Sequence, residues 1–244
     1  MSLLLRCASV CAIASGADRA MVGAMLLQTD DDCACHETQI GLLSRAAGVR
    51  SNQRCYSKGE RIYARDEPAH HVYAVVQGAV RATHYLSDGR RHLSAFHLPG
   101  EIFGLYTREV RSLEAEAVVK TTTLAVRRDD LERAASSDPK LAWRLCNIVA
   151  DDLRSAQDHL MLLGRKSASE RVAAFLLEMD RRLATDGIMS LPMCGMDIAD
   201  YLGLSNETVS RCLTKLQELR IIDLTKGRTV TFLDRAGLRE IDTS

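Results

Sequence analysis

Glu207 and Arg211 stand four residues apart and so share one face of any helix that contains them. An arginine donates two hydrogen bonds to the O6 and N7 edge of guanine, and a glutamate accepts from the amino group of cytosine. On a helix laid in a major groove the pair can read adjacent base pairs, with Asn206 and Ser210 beside them on the first turn. The same spacing also suits an i,i+4 ion pair on a solvated face. The preceding residues decide between the two.

Those residues read as a helix-turn-helix. Ala199 is small where two helices cross, and Gly203 supplies the tight turn. Ile198, Leu202, Leu204, Val209 and Cys212 fall at the buried offsets, with Ser205 as cap and Asn206 as first residue of the second helix. From Asn206 to Val230, Arg211, Lys215, Arg220, Lys226 and Arg228 stand against Glu207, Glu218 and Asp223, a local balance of +2. Ile221–Leu224 and Arg228–Phe232 flank Lys226-Gly227 as a hairpin wing. Lys215, Lys226, Arg228 and Thr208 are therefore candidate phosphate contacts on double-stranded DNA.

Cys194 lies just before the first of these helices. If solvent reaches it, oxidation to a sulfinate or sulfonate adds negative charge facing phosphates and weakens binding, which makes it a candidate redox switch. A small buried hydrophobe is the alternative reading of Cys194, and Cys212 is read as packing.

The reading unit needs elements to position it. Asp138-Pro139 starts a helix, Asp as N-cap and Pro at the first turn. Ala142, Leu145, Val149, Leu153, Ala156, Leu160 and Leu163 then recur at steps of 3, 4, 4, 3, 4 and 3, an average of 3.5 that favours a coiled-coil seam. The alternative, a helix packed on its own barrel, would not explain so long and narrow a stripe. Leu145, Val149, Leu153, Ala156, Leu160 and Leu163 are the candidate homodimer interface, with no charge interrupting the seam around Ala156 and Leu160. Gly164 is expected to break the helix, and Ser167-Ala168-Ser169-Glu170 is a capping box that opens the next one. That helix buries Val172, Phe175, Leu176, Met179 and Leu183, and Gly187 is its C-cap candidate. Upstream, Arg54–Val126 alternates in short runs around Gln77-Gly78, Asp88-Gly89 and Pro99-Gly100, which predicts seven or so antiparallel strands in a small barrel or sandwich.

The fold class is thus α+β. It comprises an N-terminal extension over 1–36, an antiparallel β-roll over 37–135, a dimerisation helix over 138–164 and a winged helix-turn-helix over 167–244. The chain has 244 residues, 46% hydrophobic and 26% charged, which excludes a fibrous or disordered protein. Its 32 basic and 32 acidic residues cancel, so attraction to nucleic acid has to be local. Eight scattered cysteines read as reduced thiols in the cytoplasm. No run is apolar for long enough to cross a bilayer. In Met1–Gln28, Ala12-Ile13-Ala14 has the look of a signal-peptidase site, but Arg6 lies inside the apolar run; an extension, or a start at Met21 or Met25, is the expectation.

With the roll, the long helix and Glu207-Thr208-Val209-Ser210-Arg211 in view, the chain resembles the CRP/FNR transcription regulators over Cys55 to Leu233. Leu191-Pro192-Met193-Cys194 and Asp197–Leu204 look most like the FixK branch. The resemblance implies a homodimer at a TTGAT-N4-ATCAA-type palindrome, with Glu207, Ser210 and Arg211 reading bases, contact with RNA polymerase, and activation of low-oxygen or nitrogen-fixation genes. Rolls of this family can bind a cyclic nucleotide through Gly-Glu-Leu and Arg-Ser. Here Gly104-Leu105-Tyr106 lacks the glutamate, and Arg111-Ser112 falls two positions early when Lys120-Thr121 is the anchor, so no cyclic nucleotide is expected.

Iron–sulfur members use closely spaced N-terminal cysteines plus one in the roll. Cys33-Ala34-Cys35, with Cys7, Cys11 and Cys55 distant and Leu124 at the roll position, does not match. His70, His71, His84, His92 and His97 alternate as surface groups do, which argues against haem, and no His-x-His with a nearby Glu suggests a metalloenzyme. The expectation is therefore no metal, no cofactor and no enzymatic activity. A ligand-binding sensor and a cluster- or haem-containing redox protein are the alternatives.

Overall fold

Alternating residues in the N-terminal half fold into two facing antiparallel sheets. The computed structural model describes residues 41, 48–85, 91–105, 109–183, 187–225 and 228–242. The cysteines at 7, 11, 33 and 35, the Asp88-Gly89 turn and Lys226 lie outside the described residues. One sheet has the order β1 (Ser51–Tyr56), β8 (Thr121–Arg127), β3 (His71–Gln77), β6 (Ile102–Phe103). The other runs β2 (Arg61–Tyr63), β7 (Glu114–Ala117), β4 (Val80–Tyr85), β5 (Arg91–His97). Between them lie Tyr63, Tyr73, Val75, Val80, Phe103 and Ala115, the inward residues of a period-two pattern.

Among the described residues the roll has eight strands where seven or so are expected, and a helix follows that the sequence analysis does not assign: α1, Arg128–Ser137. Its N-cap position, Arg127, offers no side-chain cap, although Asp129 and Asp130 in the first turn suit the helix dipole. Helix α2 spans Pro139–Arg165, and the Asp138 carboxylate accepts from the Lys140 amide at 2.9 Å. It continues through Gly164, contrary to expectation: a single glycine costs only about 1 kcal/mol in a long helix. Helix α3 spans Ala168–Leu183, with Ser167 and Glu170 capping each other. Gly187 does not cap it; at φ +100° it leads into β9 (Ile188–Ser190).

Helices α4 (Gly195–Leu202) and α5 (Asn206–Glu218) follow, then β10 (Ile222–Thr225), β11 (Thr229–Phe232) and α6 (Arg235–Asp242). β9 joins the expected hairpin, giving a three-stranded wing of order β10-β11-β9. Helix α6 is announced by Asp234, whose carboxylate accepts from the amides of Ala236 and Gly237 at 3.0 and 2.9 Å.

One apolar core joins the two halves. Leu93, Phe96 and Leu98 of the roll are buried with Phe175, Met179, Tyr201 and Leu202 of the C-terminal helices, and the Phe96 and Tyr201 rings are 5.2 Å apart. His97 is a correction to the expected surface histidines. It stacks on Phe103 at 5.1 Å, and burial pushes its pKa down to about 4.

Candidate nucleic-acid interface

Two short-range devices hold α5 at a fixed angle to α4. Gly203 adopts φ +62°, a left-handed conformation glycine tolerates, and Ser205 Oγ accepts from the Thr208 amide at 3.1 Å. Ile198, Ala199, Leu202, Val209, Cys212 and Leu216 are buried where the helices cross, and Leu204 packs beside them. Anchored on that face, α5 leaves Asn206, Glu207, Ser210, Arg211 and Lys215 exposed.

Glu207 and Arg211 do not form the alternative i,i+4 ion pair: among the described residues no salt bridge joins them, and Arg211 Nη2 donates to Thr208 Oγ1 at 3.3 Å. The Thr208 hydroxyl also lies 2.9 Å from Ser205 Oγ, so this phosphate candidate is engaged in the cap. Asn206 turns towards the start of α4, close enough that a Cβ on Gly195 would meet its Oδ1 at 2.6 Å. In the wing, Arg228 has φ +74° and donates from Nη1 to the Pro192 carbonyl at 3.1 Å.

Cys194 is partly buried. Its Sγ donates to Asp197 Oδ2 at 3.2 Å. Burial works against a charge on Asp197, but the Cys194 thiol and the Arg81 and Arg91 guanidinium groups outweigh it and hold the carboxyl below the usual range. Arg81 and Arg91 come from the roll. Neither was singled out in the sequence, and only direct distance reveals them: Arg81 Nη1 to Asp197 Oδ1 is 2.7 Å, and Arg91 Nε to Asp200 Oδ2 is 2.8 Å.

Helix α2 divides its residues between two faces. Leu145, with Ile148, packs on the roll core around Leu141, and Leu163 is half-buried beside Gly203. Both turn inward, away from the outer stripe. Val149 is 47% exposed, Leu153 59% and Leu160 69%, and Ala156 is exposed between them. Trp143, about 100° round the helix from that stripe, is 69% exposed.

The roll's phosphate-binding corner fits a cyclic nucleotide poorly. Despite its offset in sequence, Arg111 reaches Gly104, donating from Nη1 to its carbonyl at 2.9 Å and from Nη2 to the His71 carbonyl. Its guanidinium lies 4.2 Å from the Tyr63 ring centre. The arginine is thus buried and engaged by the protein itself, and Leu105 stands where the resemblance asks for a ribose-binding glutamate. Among the described residues no group of three His, Cys, Asp or Glu could hold a metal, and no helix is long and apolar enough to cross a membrane.

A family model of the Crp-like helix-turn-helix domain matches residues 170–241, and one of the cyclic nucleotide-binding domain matches residues 53–138. The chain is 44% identical over 193 residues to the nitrogen fixation regulation protein FixK of Azorhizobium caulinodans, covering 77% of this chain and 78% of that one. It is 39% identical over 171 residues to the transcriptional activatory protein AadR of Rhodopseudomonas palustris, covering 68% and 72%. The structure of FixK2 from Bradyrhizobium japonicum superposes with a TM-score of 0.78 at 49% identity, covering 80% of this chain and 99% of that one.

Proposed function

The chain belongs to the CRP/FNR family of transcription regulators, in its FixK-like branch, and from that membership we propose a homodimeric activator of low-oxygen or nitrogen-fixation genes. It is a DNA-binding transcription regulator. Our finer reading is that two copies of α5 enter successive major grooves of a TTGAT-N4-ATCAA-type palindrome in the cytoplasm, with RNA polymerase as the downstream partner. The observation that carries it is the exposed N-terminal half of α5, where Glu207, Ser210 and Arg211 stand clear above the buried Val209 and Cys212.

The two copies are joined in this reading along α2, where Val149, Leu153, Ala156 and Leu160 offer a stripe of exposed apolar side chains to a second helix. A cyclic nucleotide plays no part in it, because the Arg111 guanidinium is engaged with Gly104, His71 and Tyr63. Regulation then rests on the amount of protein and on oxidation of Cys194.

The test is titration of the reduced protein, without added ligand, into a labelled TTGAT-N4-ATCAA duplex and a scrambled duplex at two salt concentrations. Selective binding in the nanomolar range, with a preference on the order of 10³-fold, is expected. Equal, steeply salt-dependent binding to both duplexes overturns the reading.

A further inference from the structure

Helices α4 and α5 are packed as one body, since Gly203 and Ser205 fix the turn and the apolar residues between them interlock. This body follows α2 through the connection at Lys166-Ser167 and helix α3, and it touches the end of α2 where the His159 and Tyr201 rings lie 4.0 Å apart and Leu163 packs beside Gly203. Arg171 staples that joint, donating to the carbonyls of Leu163, Lys166 and Leu202 at 2.8, 2.9 and 3.0 Å. Apolar packing on the roll, such as Phe96 against Tyr201, is non-directional, so a directional attachment away from the joint is what fixes the body's orientation.

The roll supplies that attachment. Arg81 on β4 donates from Nη1 to Asp197 Oδ1 at 2.7 Å and from Nη2 to Glu116 Oε1 at 2.6 Å. Arg91 on β5 donates from Nε to Asp200 Oδ2 at 2.8 Å and from Nη2 to Asp197 Oδ1 at 3.1 Å, and its Nη2 also pairs with Asp200 Oδ2. The Asp197 side chain is only 3% exposed, and those of Arg81 and Arg91 are 17% and 22% exposed. Pairs this sheltered escape most of the screening that makes surface ion pairs weak, and a buried carboxylate left without its partners is strongly unfavourable. The planar two-sided fork of arginine also fixes direction, which a lysine would not.

We propose that Arg81 and Arg91 are positioning residues for DNA reading: they clamp α4 to strands β4 and β5 and so set the angle at which α5 is presented. A dimer on a palindrome must hold its two reading helices one helical turn of DNA apart, so a swivel of either body costs affinity although no DNA contact is removed. The sensor-like roll thereby acts as a fixed support for the reading head.

This inference rests on the operator reading above, so its test includes a measurement that does not involve DNA. The variants are Arg91→Glu, Asp200→Arg and the double exchange. In the free protein, amide hydrogen exchange over Gly195–Leu202 and over Phe96–Leu98 should quicken in each single variant and return towards the parent's rate in the double exchange. On the palindrome, each single variant should bind about tenfold more weakly at an unchanged salt slope, with binding restored in the double exchange. A melting curve for every variant separates release of the clamp from global unfolding. For any single variant that fails to fold, Arg81→Met, which preserves much of the apolar stem, takes its place.

Single variants with the parent's exchange and affinity overturn the clamp. So does weakened binding with a shallower salt slope, which makes Arg91 a phosphate contact. If the parent itself fails to discriminate the duplexes, the operator reading falls, and the exchange measurement still decides the clamp.

Discussion

The Cys194 thiol donates to one oxygen of Asp197 at 3.2 Å, and the other oxygen of that carboxylate accepts from Arg81 at 2.7 Å. Oxidation of the sulfur to an acid replaces a donor by a negative charge against a carboxylate already held ionised. Peroxide treatment is expected to weaken DNA binding of the parent and to leave Cys194→Ala unaffected, with Cys194→Asp weak under reducing conditions. Cys55 and Cys146 are more exposed than Cys194. Equal peroxide sensitivity in Cys194→Ala transfers the effect to another cysteine.

Removing Arg211 from the exposed turn of α5 tests base reading. Arg211→Ala is expected to weaken palindrome binding by about 1–3 kcal/mol and to relax selectivity at one base pair in each half-site. Lys215→Ala is expected to weaken all sequences alike and to reduce the salt slope by about one. Competition with duplexes altered one pair at a time distinguishes the two.

The stripe on α2 makes a prediction about association. Leu153 lies within it and is 59% exposed. Leu153→Glu is expected to leave a monomer by sedimentation at concentrations where the parent is a dimer, and the stability it loses should be the concentration-dependent part.

Two groups near the junction of the roll, α2 and α3 titrate in opposite senses. A cavity of about 370 Å³ there is lined by His97, Glu101, Asp152, His159, Arg182 and Tyr201. Burial, then repulsion from Glu101 and Asp151, pushes Asp152 up from 3.8 to about 6. The native state therefore favours its proton, and this contribution is present below pH 3.8 and lost as pH rises through 6. Asp152→Asn should stabilise the protein by about 1 kcal/mol at pH 7.5, after allowance for solvent screening, with no gain below pH 4. His97, lowered from 6.5 to about 4, contributes above pH 6.5, and that contribution is lost as pH falls through 4. Denaturant melts of His97→Gln across pH 4–7 should lack this acid loss.

Arg111 tests the roll. Arg111→Ala leaves the His71 carbonyl without this donor and opens the space beside Tyr63, at an expected loss of about 2–3 kcal/mol by thermal melting. Adding cyclic AMP to the parent should leave its melting temperature unchanged. An upward shift that grows with the logarithm of the nucleotide concentration would contradict that.

Features carried by neighbours in the chain were legible from residue types. Asp138-Pro139 capped α2, Ser167 and Glu170 capped α3, and Gly203 with Ser205 fixed the turn into α5, because a cap or a left-handed turn is made by residues within four of one another. Helices α1 and α6 were missed although Asp129, Asp130 and Asp234 supplied weak signals of the same local kind. The exposed face of α5 followed from a 3.6-residue period, which states which side chains point away from a core without stating what they meet.

The tertiary structure decided what lies far apart in sequence. Arg81 and Asp197 are 116 residues apart, and Arg91 and Asp200 are 109 apart; no local period couples such positions. Alternation along β5 could not reveal that His97 is enclosed against Phe103, because the strand's two faces differ only in what the rest of the chain packs on them. Leu145 entered the seam by its spacing and left the outer stripe because the roll core covers it, while Trp143, off that spacing, stayed exposed. Spacing sets the direction of a side chain, and only the folded chain sets its neighbour.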